Sequence, residues 1–184
     1  MINSYKVEGI IIKRSNFGEG DKIITLFSQN YGKIKTLAKG VRKIKSRRAP
    51  HIELFNYSRI FLHKGQNFDI ITEAEGIDTF SLLKKDLKKV AAAYYIAELV
   101  DKLCPERQEH NDILYRLIGT LKELNSPNFS HLNSLIDDFS YMIVSTLGFL
   151  PAGQKPNRGN IQYFIESVIE RKLKTSELLT KIVG

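Results

Sequence analysis

The hydrophobic pattern of this 184-residue chain changes near residues 78–81, and the change separates two kinds of structure. Before it, β-branched segments alternate with short turns, a pattern typical of a small antiparallel barrel. The predicted strands cover residues 6–14, 22–27, 33–38, 52–63 and 68–74. After it, apolar residues recur with the 3.6-residue period of helices. The predicted helices cover residues 82–103, 112–124, 131–147, 161–173 and 176–182.

A run of strands followed by a run of helices predicts an α+β chain. We expect a five-stranded antiparallel barrel at residues 1–78 and an all-α helical domain at residues 79–184. Ser81 is the predicted N-cap of the first helix. Residues 151–160, PAGQKPNRGN, are rich in glycine, proline and polar residues, and they predict a linker inside the helical domain.

The positive charge is concentrated in the first quarter of the chain. The whole chain carries 28 Lys and Arg against 20 Asp and Glu, a net charge of +8. Residues 1–50 hold 12 of the basic residues and three of the acidic ones, and residues 39–48, KGVRKIKSRR, hold six basic residues and no acidic one. Such a block favours a polyanion as partner, although a solvated loop that is basic for solubility gives the same pattern.

Composition and spacing argue against several other classes. A single cysteine cannot form an intramolecular disulfide, and the four histidines share no metal-ligand spacing. No run approaches 18 apolar residues and no signal-peptide pattern is present, so we expect a cytoplasmic protein with no membrane partner. No phosphate-binding loop occurs, and the adjacent Asp137 and Asp138 point in different directions on a helix. We therefore expect no cofactor, no enzymatic activity and an idle, buried Cys104.

Short motifs follow one another along both parts of the chain. In the first part they are residues 9–12 (GIII), 19–22 (EGDK), 25–27 (TLF), 31–34 (YGKI), 37–42 (LAKGVR), 54–63 and 72–74 (TEA). In the second part they are residues 139–151 (FSYMIVSTLGFLP) and the closing segment 161–184. This succession resembles the RecO family of bacterial recombination mediators and DNA-annealing proteins, over nearly the whole chain.

The resemblance implies a fold, a function and partners. It implies that the barrel is an OB fold, a class that binds single strands across one sheet face. It implies a nucleoid-associated DNA repair and recombination mediator that binds single- and double-stranded DNA, promotes strand annealing and assists recombinase loading. The implied protein partners are RecR and the acidic C-terminal tail of the single-stranded DNA-binding protein, for which Arg107 and Arg116 are candidate cations.

The chain departs from the family pattern at two places. Gly20 stands between Glu19 and Asp21, where the family commonly has serine. Many members also follow the motif that ends at Pro151 with a Cys-x-x-Cys zinc-binding insertion, whereas no cysteine follows Pro151 here. We therefore expect no metal site, and we interpret residues 151–160 as a degenerate, shortened form of that insertion.

The candidate DNA-binding residues are cations of the barrel part. They are Arg14, Lys22, Lys33, Lys35, Lys39, Arg42, Lys43, Lys45, Arg47 and Arg48. Many cations with few stacking aromatics favour contacts to the DNA backbone, with little sequence preference. Phe17 and Tyr31 are the candidate stacking rings because they lie in predicted turns, whereas aromatic residues on strands usually pack inward. Cations that hold the phosphates of two strands close together would lower their repulsion and speed annealing.

The amino-acid sequence alone leaves three alternatives open. Lys84, Lys85, Lys88 and Lys89 either extend the cationic surface or form the solvated start of a helix. The chain could be a scaffold that binds only proteins. It could also be an enzyme that acts on nucleic acid, such as a nuclease, although the basic region contains no convergent cluster of acidic residues.

Overall fold

β-branched and aromatic residues build five strands in the first part of the computed structural model, which describes residues 3–150 and 161–183. The strands are β1 (Ser4–Phe17), β2 (Asp21–Ser28), β3 (Gly32–Ala38), β4 (Tyr57–His63) and β5 (Asp69–Asp78). They form a closed barrel in the order β1-β2-β3-β5-β4, with β3 and β5 parallel and the other neighbours antiparallel. Alternate residues point inward, so Ile24, Leu26, Ile34 and Ala38 pack in one buried core.

The pairing of β1 with β4 closes the barrel, because these two strands stand at the ends of the strand order. Residues 4–10 pair with β4 and residues 9–17 pair with β2, with a register shift between Ile11 and Lys13. Such a bulge bends a strand and increases its twist. Gly9 takes part in both pairings, and a Cβ atom there would lie 2.3 Å from the carbonyl oxygen of Phe27. Closure therefore requires glycine at this position.

The fourth predicted strand, residues 52–63, is wrong in its first half. β4 begins at Tyr57, and a 3-10 turn occupies Ala49–Ile52. Phe55 has a φ of 68°, a left-handed conformation that cannot continue a strand. The tertiary structure holds it there, because the Phe55 N–H donates to the carbonyl of Ile11 at 2.8 Å and the Ile11 N–H donates to the carbonyl of Asn56 at 3.0 Å.

A segment from the helical half of the sequence belongs to the barrel unit. The described chain divides into two compact units, and the first combines the residues up to Thr79 with Pro105–Leu114. The Arg107 N–H donates to the carbonyl of Lys33 at 2.9 Å, and Glu106 forms a single β-bridge with Lys33. We call Pro105–Leu114, which brings the chain back to β3, the return segment. The local sequence pattern does not predict this return.

The second unit is helical. Its elements include α1 (Leu87–Leu103), α2 (Asn111–Leu124) from Tyr115 onwards, α3 (Leu132–Thr146), α4 (Ile161–Val168) and α5 (Ser176–Val183). The first four residues of α2 belong to the barrel unit. A barrel followed by helices confirms the predicted α+β class. α4 ends five residues earlier than predicted, and the chain after it is fixed by Glu98, whose carboxylate accepts hydrogen bonds from the N–H and hydroxyl of Thr175 at 2.8 and 2.6 Å.

The first helix begins later than the sequence predicts. Asp86, and not Ser81, is its N-cap, with a carboxylate that accepts from the N–H groups of Lys88 and Lys89. The residues before it form a 3-10 turn, Leu83–Lys85, whose entry is held by Asn125. The Asn125 side-chain oxygen accepts from the N–H of Leu83 at 3.0 Å.

Two expectations concern membranes and the linker. Among the described residues, no helix has both the length and the apolar character needed to cross a membrane. The interpretation of residues 151–160 as a degenerate insertion falls outside the described residues and stays a prediction.

Gly32→Ala is expected to destabilise the barrel unit by about 2 kcal/mol or more. Gly32 has a φ of 60°, and an added Cβ would lie 1.8 Å from the carbonyl oxygen of Gln108 in the return segment. Gly18→Ala is the control, because Gly18 has a similar φ of 56° but no atom within 4 Å of an added Cβ. Urea denaturation followed by circular dichroism measures both, and equal losses would contradict the close approach of the return segment.

Candidate nucleic-acid interface

Residues 39–48, which we call the basic loop, are held to the barrel by backbone hydrogen bonds. The Gly40 N–H donates to the Asp21 carboxylate at 2.7 Å, and the Arg42 N–H donates to the carbonyl of Gly20 at 3.0 Å. Val41 is buried in the barrel core. A tight turn follows, in which the Ser46 N–H donates to the carbonyl of Lys43 at 2.9 Å. The loop is therefore structured, although its sequence reads as a solvated charge run.

Arg48 holds the far end of the basic loop. Its Nη2 donates to the carbonyl of Lys39 at 2.6 Å, and its Nη1 donates to the carbonyl of Ile71 on β5. Hydrogen bonds from a charged donor are among the stronger ones in proteins. This guanidinium links both ends of the loop to the barrel, so its first role is structural.

The basic loop lines a groove of about 730 Å³ on the barrel unit, which we call the basic groove. The cations that line it are Lys39, Lys43, Lys45, Arg47 and Arg48. Lys39, Lys43, Lys45 and Arg47 are exposed, so their charged ends can reach an anion in the groove. β5 also lines the groove and contributes Glu73 and Glu75, and His51 is a further lining residue.

Four other predicted residues lie outside the lining of the groove, and two of them are engaged by carboxylates. Arg14 forms an ion pair with Glu53, and Lys35 forms one with Glu106 of the return segment. Lys22 is half-buried on β2. Arg42 is exposed, with Nη1 3.3 Å from the carbonyl of Gly18.

Lys33 is the last of the ten predicted residues. Its burial shows that the outer face of strands β2 and β3 is covered around this position. Lys33 is buried, as are its outward neighbours Thr25 and Phe27 on β2. The resemblance implied binding across a sheet face, but this face is not accessible at those positions. The sequence around Lys33 does not predict that this side chain is buried, because its bridge partner Glu106 is more than 70 residues away in the sequence.

The two candidate stacking rings are both partly exposed. Phe17 is 45% exposed, and its ring packs edge-on against Phe68 with 6.4 Å between centroids. Tyr31 is 42% exposed, and its ring lies 5.0 Å from that of Tyr5. Both rings therefore keep a face or edge towards solvent.

The lysines at the start of the helical unit do not act as one surface. Lys84, Lys85 and Lys88 are exposed, whereas Lys89 is buried. The Lys89 Nζ donates to the carbonyl of Ser126 at 2.7 Å and lies 5.9 Å from the centroid of the Phe129 ring. Lys89 thus stabilises the helical unit through a hydrogen bond and a cation–π contact.

The structure shows the surroundings of Cys104 and of the two arginines that are candidate cations for the tail partner. Cys104 is buried, as expected. Arg107 belongs to the barrel unit, with Nη2 3.7 Å from the Asp69 carboxylate. Arg116 lies on α2, with Nη1 3.8 Å from the carboxylate of Glu123.

A closed barrel with OB topology and a basic groove, in a chain that continues into a helical unit, places this protein among OB-fold proteins. Residues 1–80 match the family model described as Recombination protein O N terminal, and residues 84–160 match Recombination protein O C terminal. The chain belongs to the RecO family, which confirms the resemblance.

Curated relatives support this assignment. The DNA repair protein RecO of Oceanobacillus iheyensis is 40% identical over 147 residues, which are 79% of this chain and 56% of the relative. That of Roseiflexus sp. is 37% identical over 147 residues, 80% of this chain and 51% of the relative. That of Caldanaerobacter subterraneus is 33% identical over 171 residues, 88% of this chain and 67% of the relative. The chain thus spans about half to two thirds of the length of these relatives.

Arg48→Ala is expected to loosen the basic loop, because two carbonyl groups lose their charged donor. We expect the amide of Ser46 to exchange its hydrogen about tenfold faster or more, since a charged hydrogen bond contributes about 1.5–3 kcal/mol. Arg47→Ala is the matched control, because Arg47 is exposed in the same loop. Hydrogen exchange followed by NMR measures both, and equal protection in the two variants would show that Arg48 does not hold the loop.

Proposed function

We propose that this chain is a DNA repair accessory protein that binds single- and double-stranded DNA in the basic groove, promotes strand annealing and assists recombinase loading. The observation that carries the proposal is that four exposed cations, Lys39, Lys43, Lys45 and Arg47, line one groove on a structured loop. Membership of a family whose relatives are named DNA repair proteins supports it. Such a protein would work in the bacterial cytoplasm, at the nucleoid.

The proposed mechanism is electrostatic. Lysine and arginine form charge-assisted hydrogen bonds with phosphates and release the counterions that condense on DNA. These contacts carry no sequence information, so the groove would accept strands of any sequence. Two strands whose phosphates are partly neutralised repel each other less, and complementary strands would therefore pair faster.

Two acidic residues that line the groove are expected to keep the bound strand next to the basic loop. Glu73 and Glu75 on β5 repel phosphates, so we expect the DNA backbone to follow the cations of the basic loop. The Glu75 carboxylate also lies 3.3 Å from the guanidinium of Arg59. We propose that these carboxylates orient the strand and that the groove performs no bond chemistry.

A second cavity, on the helical unit, has the chemistry expected for the tail of the single-stranded DNA-binding protein. Its volume is about 220 Å³, and Leu103, Phe149 and Ile169 supply apolar walls. Lys102 and Arg171 supply cations at the same cavity, which Asp101 also lines, with its carboxylate 3.8 Å from the Lys102 Nζ. Apolar side chains beside cations suit an acidic tail that ends in a carboxylate. We propose this cavity for the tail, and RecR as a further partner because the chain belongs to the RecO family.

The variant in which Lys39, Lys43, Lys45 and Arg47 are all replaced by glutamine is expected to lose at least tenfold in affinity for both kinds of DNA. Each phosphate contact contributes about −0.7 to the slope of log K against log salt for single strands. Loss of four contacts should therefore reduce the magnitude of the slope by about 3. Fluorescence anisotropy of a labelled oligonucleotide, titrated at several salt concentrations, measures both quantities.

The control for this variant removes the same charge elsewhere. Lys122, Lys172, Lys174 and Lys181 are exposed on the helical unit, and their replacement by glutamine should leave the affinity nearly unchanged. Equal losses in the two variants would argue against the groove as the site. Absence of DNA binding by the natural chain would favour the protein-only scaffold, and cleavage of the strand in the presence of Mg²⁺ would favour the enzyme.

Arg171→Glu is expected to weaken binding of the tail by about tenfold or more, because a like charge then faces the acidic peptide. The probe is a synthetic peptide with the acidic C-terminal sequence of the organism's own single-stranded DNA-binding protein, and calorimetry measures its affinity. Arg116→Glu changes the charge equally but outside the cavity, so it is expected to bind the peptide normally. A larger loss in Arg116→Glu would move the tail to α2.

A further inference from the structure

A cavity of about 510 Å³ on the barrel unit is lined by two tyrosine rings, two cations and the Asp69 carboxylate, and it shares no lining residue with the basic groove. Tyr31 from the β2–β3 turn, Lys64 from the β4–β5 turn and Arg107 from the return segment all line it. Three segments that are distant in the sequence therefore meet here. We call this cavity the Tyr31 pocket.

The backbone on both sides of Tyr31 fixes its position. Asn30 and Gly32 have φ values of 64° and 60°, so the ring sits between two left-handed residues in a tight turn. The Asn30 N–H lies 3.3 Å from the side-chain oxygen of Asn111 at the end of the return segment. Gly32 lies directly against the backbone of Gln108. The turn is therefore held from both sides.

The ring of Tyr31 also rests on a supported partner. The Tyr5 ring lies 5.0 Å away at an angle of 37°, and its hydroxyl donates to the Asp69 carboxylate at 2.5 Å. Burial and this hydrogen bond raise the pKa of Tyr5 well above its usual range, so the hydroxyl stays a donor. Asp69 is itself buried, and its other oxygen lies 3.3 Å from the Gly65 N–H. Tyr31 is therefore a pre-positioned ring that is still 42% exposed.

The two cations lie at the same cavity. Lys64 is exposed to solvent, and the Arg107 side chain is 69% exposed although its Nη2 lies 3.7 Å from Asp69. A guanidinium has five N–H donors, so Arg107 keeps donors for an anion. Arg107 is also held at a φ of 59°, which is uncommon for a residue other than glycine. The hydrogen bond from its N–H to Lys33 keeps it there.

We propose that the Tyr31 pocket binds one nucleotide of a single strand, with an unpaired base against the ring of Tyr31 and a neighbouring phosphate at Lys64 and Arg107. The volume lies within the range of small-molecule sites, and bases stack on aromatic side chains without regard to sequence. The inference rests on the proposed DNA-binding function and adds a single-strand preference that the basic groove does not provide.

A duplex does not fit this chemistry. Its bases are stacked on each other, so no base face is available to Tyr31 unless a nucleotide leaves the helix, which costs a few kcal/mol. The basic groove contacts only phosphates and treats both forms of DNA alike. The Tyr31 pocket would therefore distinguish them, and an acidic peptide is the competing ligand that the experiment has to separate.

Tyr31→Ala is expected to weaken binding of a labelled oligo(dT) strand by about tenfold and to leave a labelled hairpin duplex within about twofold. Tyr31→Phe is the matched control, because it retains the ring and should retain the affinity for the strand. The chain contains no tryptophan, so tyrosine emission can be followed directly. Quenching of this emission on binding of the strand should be smaller in Tyr31→Phe, although its affinity is unchanged.

Lys64→Gln tests the pocket without touching the barrel core, because Lys64 is exposed. It should reduce the magnitude of the salt slope for the single strand by about 0.7 and leave the slope for the duplex unchanged. Equal effects of Tyr31→Ala on strand and duplex, or no effect on either, would overturn the pocket. The pocket would also be overturned if Tyr31→Ala lost affinity for an acidic peptide but still bound the single strand normally.

The same titrations separate this inference from the proposed function. If the fourfold groove variant binds strand and duplex normally, the proposed function fails. If that variant loses both ligands while Tyr31→Ala and Lys64→Gln lose neither, only the Tyr31 pocket fails.

Discussion

Barrel closure by β1 is the constraint on which the rest of the barrel unit depends. One strand pairs with β4 along its first half and with β2 along its second, and Gly9 allows the close approach at the change of partner. Closure removes the free edges of the sheet and brings the loops to fixed positions. Asp21 at the start of β2 can then anchor the basic loop at Gly40, and Tyr5 near the start of β1 can reach Asp69 on β5.

The two candidate sites on the barrel unit use different physical chemistry. The basic groove presents exposed cations on a structured loop, which suits phosphates of any DNA. The Tyr31 pocket presents a supported ring beside two cations, which suits an unpaired base. In the proposed annealing reaction, a strand would lose its contact with Tyr31 when its bases pair, while the groove would keep its phosphates.

Much of the fold follows from the sequence, and much less of the site does. The change of period near residue 80 predicts the barrel and the helices, because burial of one face imposes a period on each kind of element. The predicted start of β4 is wrong because Phe55 is left-handed, and the predicted start of α1 is wrong because Asp86 caps the helix in place of Ser81. Caps and left-handed residues depend on particular contacts, which a periodic pattern does not contain.

The cations show the same division between sequence and tertiary structure. Their concentration in residues 1–50 predicts an anionic partner for this unit, since the charge is a property of composition. Only the tertiary structure separates Lys43, Lys45 and Arg47, which line an open groove, from Lys33, which is buried, and Lys35, which is paired with Glu106. The sequence by itself determined the fold class, the family and the sign of the charge. The tertiary structure decided which charges are accessible, because accessibility depends on contacts between segments more than 70 residues apart.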